Sequence, residues 1–270
     1  MPYPFDREYM QLALVAGLIM GATAPLIGVY LVQRRLSLLG DGIGHLAFAG
    51  VAAGVLADVW PVWTALVVAV AGALMIEALR GRKLASGDLA LAIFFYGGIA
   101  GGVVLAGAGN GLNASLFTYL FGSLLTVDSG EMALVIGIGL AVIATIALLG
   151  AALFASAIDE EWSRVAGLPV GLLNAVFAVL TAVTVVAAMR VVGILLVSAL
   201  MVVPVASAQV VARSQRGVMG WSVAIGMLSV VVGLAIARQW GLAPGGTIVL
   251  VAVGTFALVA AASRVPVVLR

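Results

Sequence analysis

The chain has 270 residues, of which 64% are hydrophobic and only 9% are charged, and its formal net charge is +2. Soluble domains carry about 25% charged residues, so this composition excludes a soluble globular protein and predicts an integral membrane protein. The small net charge gives no case for nucleic acid as a partner. Cysteine is absent, which excludes disulfides and thiolate metal sites.

Apolar runs of about 20 residues alternate with short polar joints, a pattern of transmembrane helices rather than of barrel strands. The first run follows a segment of mixed charge, so we expect a retained span and not a cleaved signal peptide. We expect residues 1–270 to form one all-α domain, a polytopic bundle of eight or nine transmembrane helices. The predicted runs are 11–33, 38–57, 61–79, 89–108, 132–154, 169–189, 191–211, 219–237 and 246–263.

The basic residues predict the orientation of this bundle, because cytoplasmic joints are enriched in Lys and Arg. With the N-terminus outside, ten of the thirteen basic residues fall in the cytoplasm. The remaining three, which fall outside, are Arg7, Arg190 and Arg238. The run at 191–211 leaves an alternative open, since Gly193 and Pro204 suit a broken or re-entrant helix. In that case there are eight spans and the C-terminus lies outside.

Two joints are predicted to form short helices. Residues 109–131, outside, are too long and too amphipathic for a simple turn, so we expect a helix on or dipping into the membrane. Residues 157–169, inside, carry both helix signals. Asp159, Glu160 and Glu161 suit a first turn, Arg164 suits a last turn, and Gly167 suits the residue past the end. Pro169 then stops or restarts the chain.

The second run carries two polar residues that a lipid-facing helix would not tolerate. Asp41 and His45, the only histidine, lie at i and i+4, so their Cβ atoms are about 5–6 Å apart on one helix face. A carboxylate at membrane depth costs roughly 2.5–3.5 kcal/mol even on lenient scales. A carboxylate and a neutral imidazole suit zinc, manganese or ferrous iron. We therefore expect Asp41 and His45 to hold a transported divalent metal, with no permanently bound cofactor.

The alternative is structural: Asp41 caps the second span and His45 bonds to it or to a neighbouring carbonyl. That alternative does not explain a histidine one turn deeper. Gly40, Gly44 and Gly54 form a strip of small residues that suits close helix packing, either at a dimer axis or within one subunit. Other polar residues have structural interpretations: a solvated pair of Glu77 with Arg80, a cap at Asp88, a snorkelling Arg190, and helix-to-helix bonds from Asn174, Ser198 and Gln209.

The sequence contains no phosphate-cradling Gly-Lys-Ser/Thr loop, since its only lysine lies in "GRKL". Either solute moves down a gradient or a separate ATPase drives transport. Three functions stay open at this point: an ATP-driven metal importer subunit, a secondary transporter or channel that relays protons through Asp41 and His45, and a permease for a siderophore or cobalamin. The last is least favoured, because a large solute needs no such ligand pair.

The stretch "RRLSLLGDGIGHLAFAGVAAG" (34–54) is similar to the signature of the membrane permease subunits of zinc and manganese ABC importers. "SGDLALAIFFYGGIAGGVVL", "YLFGSLLTV", "AIDEEWSRVAGLP" and "RVVGILLVSALMVVPVASAQ" resemble further segments of that family in the same order. The resemblance covers nearly the whole chain and implies a transport subunit of a prokaryotic cytoplasmic membrane, not an enzyme.

The same resemblance implies partners and site residues. The partners are a second copy of the permease, two cytoplasmic ATPase subunits and an extracytoplasmic metal-binding protein. Asp41 and His45 become metal-pathway ligands, and 157–169 becomes the segment that docks on the ATPase. The family's commoner "DAISHA" is "DGIGHL" here, so a serine that would assist the ligand pair is missing. The glycine form favours the zinc branch.

Overall fold

The computed structural model describes residues 4–82, 87–109, 114–122, 129–189 and 192–263. Arg190 and Lys83 lie outside the described residues. Within the described ranges the chain is helical and contains no strand. The helices are α1 (Glu8–Gln33), α2 (Leu39–Leu56), α3 (Pro61–Gly81), α4 (Gly87–Ala108), α5 (Ala114–Phe121), α6 (Ser129–Ile158), α7 (Glu160–Val165), α8 (Val170–Met189), α9 (Ile194–Val211), α10 (Gln215–Trp240) and α11 (Pro244–Ser263).

Every predicted apolar run coincides with a long helix, which confirms the all-α membrane bundle. Eight of these helices are long and apolar enough to cross a membrane, and α9 adds a shorter apolar helix. Local chemistry sets several ends. Pro61 occupies the first turn of α3, where its missing N–H costs nothing. The Ser214 side chain accepts from the Gly217 N–H at 3.2 Å to begin α10.

The direction of α10 decides between eight and nine crossings. At its start, Gln33 Nε2 from the end of α1 donates to Gln215 Oε1 at 2.5 Å. At its end, the Arg238 guanidinium lies 5.4 Å from the centre of the Tyr9 ring at the start of α1. Helix α10 therefore runs antiparallel to α1. With the N-terminus outside, α10 starts at the cytoplasmic end of the bundle, and the chain must reach that end through α9.

Helix α9 is continuous through Pro204 and begins directly after Gly193. Gly193 has φ +93°, a conformation that favours glycine, and its backbone packs on the end of α5. The start of α11 packs on the same point, since a Cβ on Gly245 would lie 3.1 Å from the Phe121 carbonyl oxygen. The α8–α9 joint, α5 and the α11 start thus share the outer end. This supports nine crossings over a re-entrant helix.

Helix α2 occupies the centre of the bundle. It packs against α3, α4, α8 and α9, and 67% of it is buried, against 28% for α4 and 22% for α11. Asp41 and His45 on α2 therefore lie in the interior of the bundle. Helix α4, which is itself mostly exposed, covers one side of α2.

Candidate metal pathway and coupling helix

Asp41 lies in the first turn of α2 and is tied to a neighbouring helix. The Ser198 hydroxyl of α9 donates a hydrogen bond to Asp41 Oδ1. Helix α2 begins after Leu38, whose side chain makes no capping bond. The Asp41 carboxylate thus lies where the helix dipole favours negative charge, but its hydrogen bond goes to α9.

His45 lies one turn deeper, partly buried, with its ring edge-on to Phe95 of α4 at a centroid distance of 4.6 Å. Helix α4 reaches this close because Gly98 faces the backbone of His45. A Cβ at Gly98 would lie 2.7 Å from the His45 carbonyl carbon, a distance that real Cβ atoms do not tolerate. Within the described part of the chain, no hydrogen bond or ion pair joins His45 to Asp41. The structural alternative has Asp41 cap α2 and His45 bond to Asp41 or to a neighbouring carbonyl, and among the described residues His45 makes neither bond.

A cavity of about 350 Å³ opens beside Asp41, between α2 and α4. Asp88 lines it as well, at the exposed start of α4. The remaining lining residues are apolar or aromatic: Leu38, Leu91, Ala92, Phe95 and Tyr96. Phe95 contacts both this cavity and the His45 ring. The arrangement is a small chamber with carboxylates in its wall and an imidazole behind one aromatic side chain.

One copy of the chain places two candidate ligands, Asp41 and His45, one helical turn apart. Across the described residues, no three His, Cys, Asp or Glu side chains come close enough to hold one metal ion. Asp88 is thus a second carboxylate of the cavity wall and not a third ligand beside Asp41 and His45. An incomplete set suits a transporter, because a closed four-ligand shell of the structural zinc type would retain the ion.

The glycine strip packs within the subunit. A Cβ at Gly40 would lie 3.3 Å from both Ser198 Cβ and Met201 Sδ, and one at Gly44 would lie 3.4 Å from Ile194 Cγ2, all on α9. Gly54 faces the start of α3. Of the two interpretations that the strip left open, the geometry favours packing against α9 and α3. The strip therefore gives no support for a dimer axis.

Helix α7, in the joint that is predicted to be cytoplasmic, forms with both predicted ends. Asp159 is its N-cap, and Oδ1 accepts from the Trp162 N–H at 2.8 Å. Gly167 has φ +83° just past the last turn, and the Leu168 N–H reaches back to the Ser163 carbonyl at 3.0 Å. Arg164 lies in the last turn and pairs with Glu160 at 3.5 Å. The outer joint also contains its expected short helix, α5, in the part of 109–131 that the structure describes.

The acidic residues of α7 point in different directions. Glu160 Oε1 accepts from Arg80 Nη2 on α3 and from Asn174 Nδ2 on α8, both at 3.1 Å. Glu161 is exposed, and no contact of its carboxylate is seen among the described residues. Asn174 Oδ1 in turn accepts from Arg34 Nη1 at 2.6 Å. A continuous polar chain therefore runs from α7 through α8 to the end of α1.

The polar connection between α7 and α1 is partly buried, and burial shifts the pKa of its arginine, Arg34. Burial, reinforced by the positive charge of Arg80, lowers the pKa of the Arg34 guanidinium, and Glu77 and Glu160 oppose that shift. Arg34 also donates to Ser156 Oγ at 2.9 Å and lies 4.7 Å from the centre of the Phe177 ring. The expected Glu77–Arg80 pair forms at 3.3 Å, but its side chains are only 16% and 20% exposed. The prediction of a solvated pair is wrong in that respect, and Arg80 also pairs with Glu160 of α7 at 3.1 Å.

The position of Asp88 in the wall of this cavity was not predicted, because the sequence pattern indicates only a helix cap there. A signal was available: Asp41 and Asp88 both stand at the cytoplasmic starts of spans. Which two starts are neighbours depends on packing, and packing cannot be read along the chain. Ser198 and Asn174 do bond helix to helix, as expected, whereas Gln209 is exposed.

Comparison with known proteins agrees with this geometry. The membrane protein ZnuB of the high-affinity zinc uptake system of Haemophilus influenzae is 29% identical, over 91% of this chain and 94% of that protein. The manganese import system permease protein ScaB of Streptococcus parasanguinis is 30% identical, over 90% and 86%. The solved structure of PsaBC from Streptococcus pneumoniae in complex with Fab superposes with a TM-score of 0.83 at 29% identity, over 94% and 92%.

These relatives are transport components and not enzymes, which confirms that the chain is a transport subunit. A family model described as "ABC 3 transport family" matches residues 6–263, nearly the entire chain. The chain therefore belongs to the ABC 3 transport family.

Proposed function

We propose that this chain is the membrane-spanning subunit of an ATP-driven importer of a divalent metal, in the cytoplasmic membrane of a prokaryote. Zinc or manganese is the ion, and Asp41 and His45 line its path. One observation carries the proposal: the Asp41 carboxylate lines a chamber of about 350 Å³ one helical turn from the His45 imidazole. That chamber lies in a chain whose relatives are named for zinc and manganese transport.

The ligand chemistry supports a metal over a larger solute. Carboxylate and imidazole together suit borderline and hard divalent ions. Asp88 adds a second negative charge at the exposed start of α4, which raises the local concentration of cations. Zinc and manganese share these ligands, so the donor set alone favours neither.

A second copy of the chain would complete the coordination shell. One copy supplies one carboxylate and one imidazole, whereas zinc usually takes four protein or water ligands. Two copies that pack against each other along α4 would together supply two such pairs. We therefore propose a homodimer in which the α2 and α4 faces, rather than the glycine strip, lie toward the axis.

The ATPase partner is proposed to dock on the outer face of α7, which is the side turned away from the membrane helices. Three large apolar side chains are exposed there: Ile158 at 67%, Trp162 at 64% and Val165 at 89%. Trp162 and Val165 are three residues apart and so lie on one side of α7, and Ile158 is the last residue of α6, just before the Asp159 cap. An aromatic anchor with flanking aliphatic groups is the usual content of a binding hot spot. An extracytoplasmic metal-binding protein would deliver the ion at the opposite end of the bundle.

Uptake into vesicles tests the proposal. Vesicles that contain the chain with its ATPase should accumulate zinc or manganese only when ATP is supplied. Asp41→Asn, which keeps the side-chain shape, and His45→Ala should each abolish uptake at equal protein amounts and with normal ATPase assembly. Uptake by wild type that follows an imposed proton gradient without ATP would favour the alternative, a proton-coupled carrier. Wild-type uptake by both variants would end the metal-path proposal.

A further inference from the structure

We propose that Glu160 and Asn174 are positioning residues that transmit movement of α7 to the α1–α2 joint, and through it to Asp41. The inference rests on the proposed function, because it requires an ATPase that acts on α7. It assigns to Glu160 a role that differs from that of its neighbour Glu161, although both are acidic residues in one helical turn.

Helix α7 has two faces with different partners. On the outer face, Trp162 and Val165 are exposed and available to a docked protein. On the inner face, the Glu160 side chain is only 35% exposed, and its Oε1 accepts from two separate helices at 3.1 Å. A force applied to the outer face therefore passes into the membrane bundle through Glu160.

Asn174 is the bridge of this connection. It is 3% exposed, and each half of its amide has one charged partner. The amide oxygen accepts from Arg34 at 2.6 Å, and the amide nitrogen donates to Glu160 at 3.1 Å. The cation on one side and the anion on the other fix the amide orientation, since a flip would turn both contacts repulsive. Hydrogen bonds to ionised groups are among the stronger ones, so this link resists stretching.

Arg34 brings the connection to the start of α2. It is the residue that ends α1, and α2 begins at Leu39 with Asp41 in its first turn. The joint between them is tight, because the Leu36 N–H bonds to the Leu31 carbonyl and the Leu39 N–H bonds to the Leu36 carbonyl, both at 2.9 Å. Because these hydrogen bonds hold the joint in one conformation, a displacement of Arg34 also moves the first turn of α2.

A second branch runs through Arg80 to α3, but it has an independent partner. Arg80 Nη1 pairs with Glu77 at 3.3 Å, so Arg80 keeps one carboxylate when the Glu160 charge is removed. The Asn174 branch has no such substitute among the described residues. Variants at position 174 therefore separate the two branches.

The test exchanges donor and acceptor across the Asn174–Glu160 contact. Asn174→Asp keeps the size and the bond to Arg34 but replaces the amide donor with an oxygen that faces the Glu160 carboxylate. Glu160→Gln in the same chain then provides a new amide donor at position 160, so the contact with position 174 is restored with reversed polarity and unchanged total charge, whereas the Arg80 contact at the same oxygen is lost. Glu8→Gln is the control, because it removes an exposed acidic charge in the first turn of α1, outside the segment assigned to ATPase docking.

The readouts are metal transported per ATP hydrolysed and amide hydrogen exchange. Asn174→Asp should lower the transport ratio about fivefold or more, the usual size of a coupling effect, and should speed exchange in residues 34–39. The double variant should recover both toward wild type, and Glu8→Gln should change neither. A merely structural role would reduce ATPase assembly and transport together and leave their ratio constant.

The outcomes distinguish this inference from the proposed function. If wild type transports no metal with ATP, the proposed function fails. If wild type transports normally and Asn174→Asp keeps its transport ratio and its exchange in 34–39, the inference fails alone. Failure of the double variant to recover, with the protein folded and bound to the ATPase, also overturns it, since reversal of the contact would then have no effect.

Discussion

The Ser198 hydroxyl of α9 donates a hydrogen bond to Asp41 Oδ1 at the start of α2. This contact joins the helix that follows the outer Gly193 joint to the helix that carries both proposed ligands. It occupies one carboxylate oxygen of Asp41, a residue that also lines the chamber. Ser198 thus restricts the rotation of the carboxylate.

Removal of that hydroxyl should weaken metal binding without abolishing it. Ser198→Ala leaves the Asp41 charge but frees its rotation, and loss of such an orienting partner typically lowers metal affinity about 10–100-fold. We expect a raised half-saturating metal concentration in vesicle uptake with a nearly unchanged maximal rate. Ser207→Ala is the control, because the Ser207 hydroxyl on the same helix bonds only to its own helix at the Val203 carbonyl. Equal effects of the two variants would contradict the orienting role.

The close approach of α4 to His45 gives a prediction about stability. Gly98→Ala introduces a Cβ 2.7 Å from the His45 carbonyl carbon, and such overpacking typically costs about 1–3 kcal/mol. We expect a lower thermal unfolding temperature in detergent and reduced uptake. At Gly97 a Cβ meets nothing within 4 Å, so Gly97→Ala should behave as wild type. The prediction is wrong if the two alanine variants unfold at the same temperature.

The exposed face of α7 gives a prediction about assembly. Trp162→Ala should weaken association with the ATPase by about 2 kcal/mol or more, the loss expected for a hot-spot aromatic residue, and retention of the ATPase on the purified chain measures it. Trp240→Ala is a matched control at the outer end of α10, since Trp240 is 66% exposed and Trp162 is 64% exposed. Undiminished retention by Trp162→Ala would place the docking surface elsewhere.

The proposed dimer face is open to crosslinking, because the chain contains no cysteine. Tyr96 and Leu38 line the chamber mouth and are 68% and 67% exposed. We expect Tyr96→Cys or Leu38→Cys to form an intermolecular disulfide in membranes. Gly44→Cys should form none, since Gly44 is buried against α9. Crosslinks only at exposed positions of another helix, such as α11, would move the axis away from α2 and α4.

Local chemistry made several features predictable. Each of the nine apolar runs forms its helix, because a backbone in lipid must satisfy its own hydrogen bonds. Helix α7 was predictable at both ends, since the Asp159 cap and Gly167 act on backbone groups a few residues away. The i, i+4 relationship of Asp41 and His45 also follows from helix geometry alone.

Other features depend on which helices meet. The sequence predicts small residues on one face of α2 but does not show which helix packs against them. In the structure these residues pack against α9 and α3 of the same subunit and not against a second copy. The sequence pattern indicates only a helix cap at Asp88. Its place in the same cavity as Asp41 depends on the packing of α4 against α2. The chain from Glu160 through Asn174 to Arg34 joins residues up to 140 positions apart, a separation over which no local pattern carries information.

The sequence by itself thus determined the membrane helices, the short helix α7 with both its ends, and the i, i+4 relationship of Asp41 and His45. Tertiary structure decided the direction of α9, the chamber beside Asp41 and the polar connection beneath α7. The physical reason is the range of the forces. Hydrogen bonding within a helix, capping and transfer into lipid act over a few residues and leave a record in the sequence. Helix packing in lipid depends on shape complementarity between distant surfaces, which only the folded chain brings together.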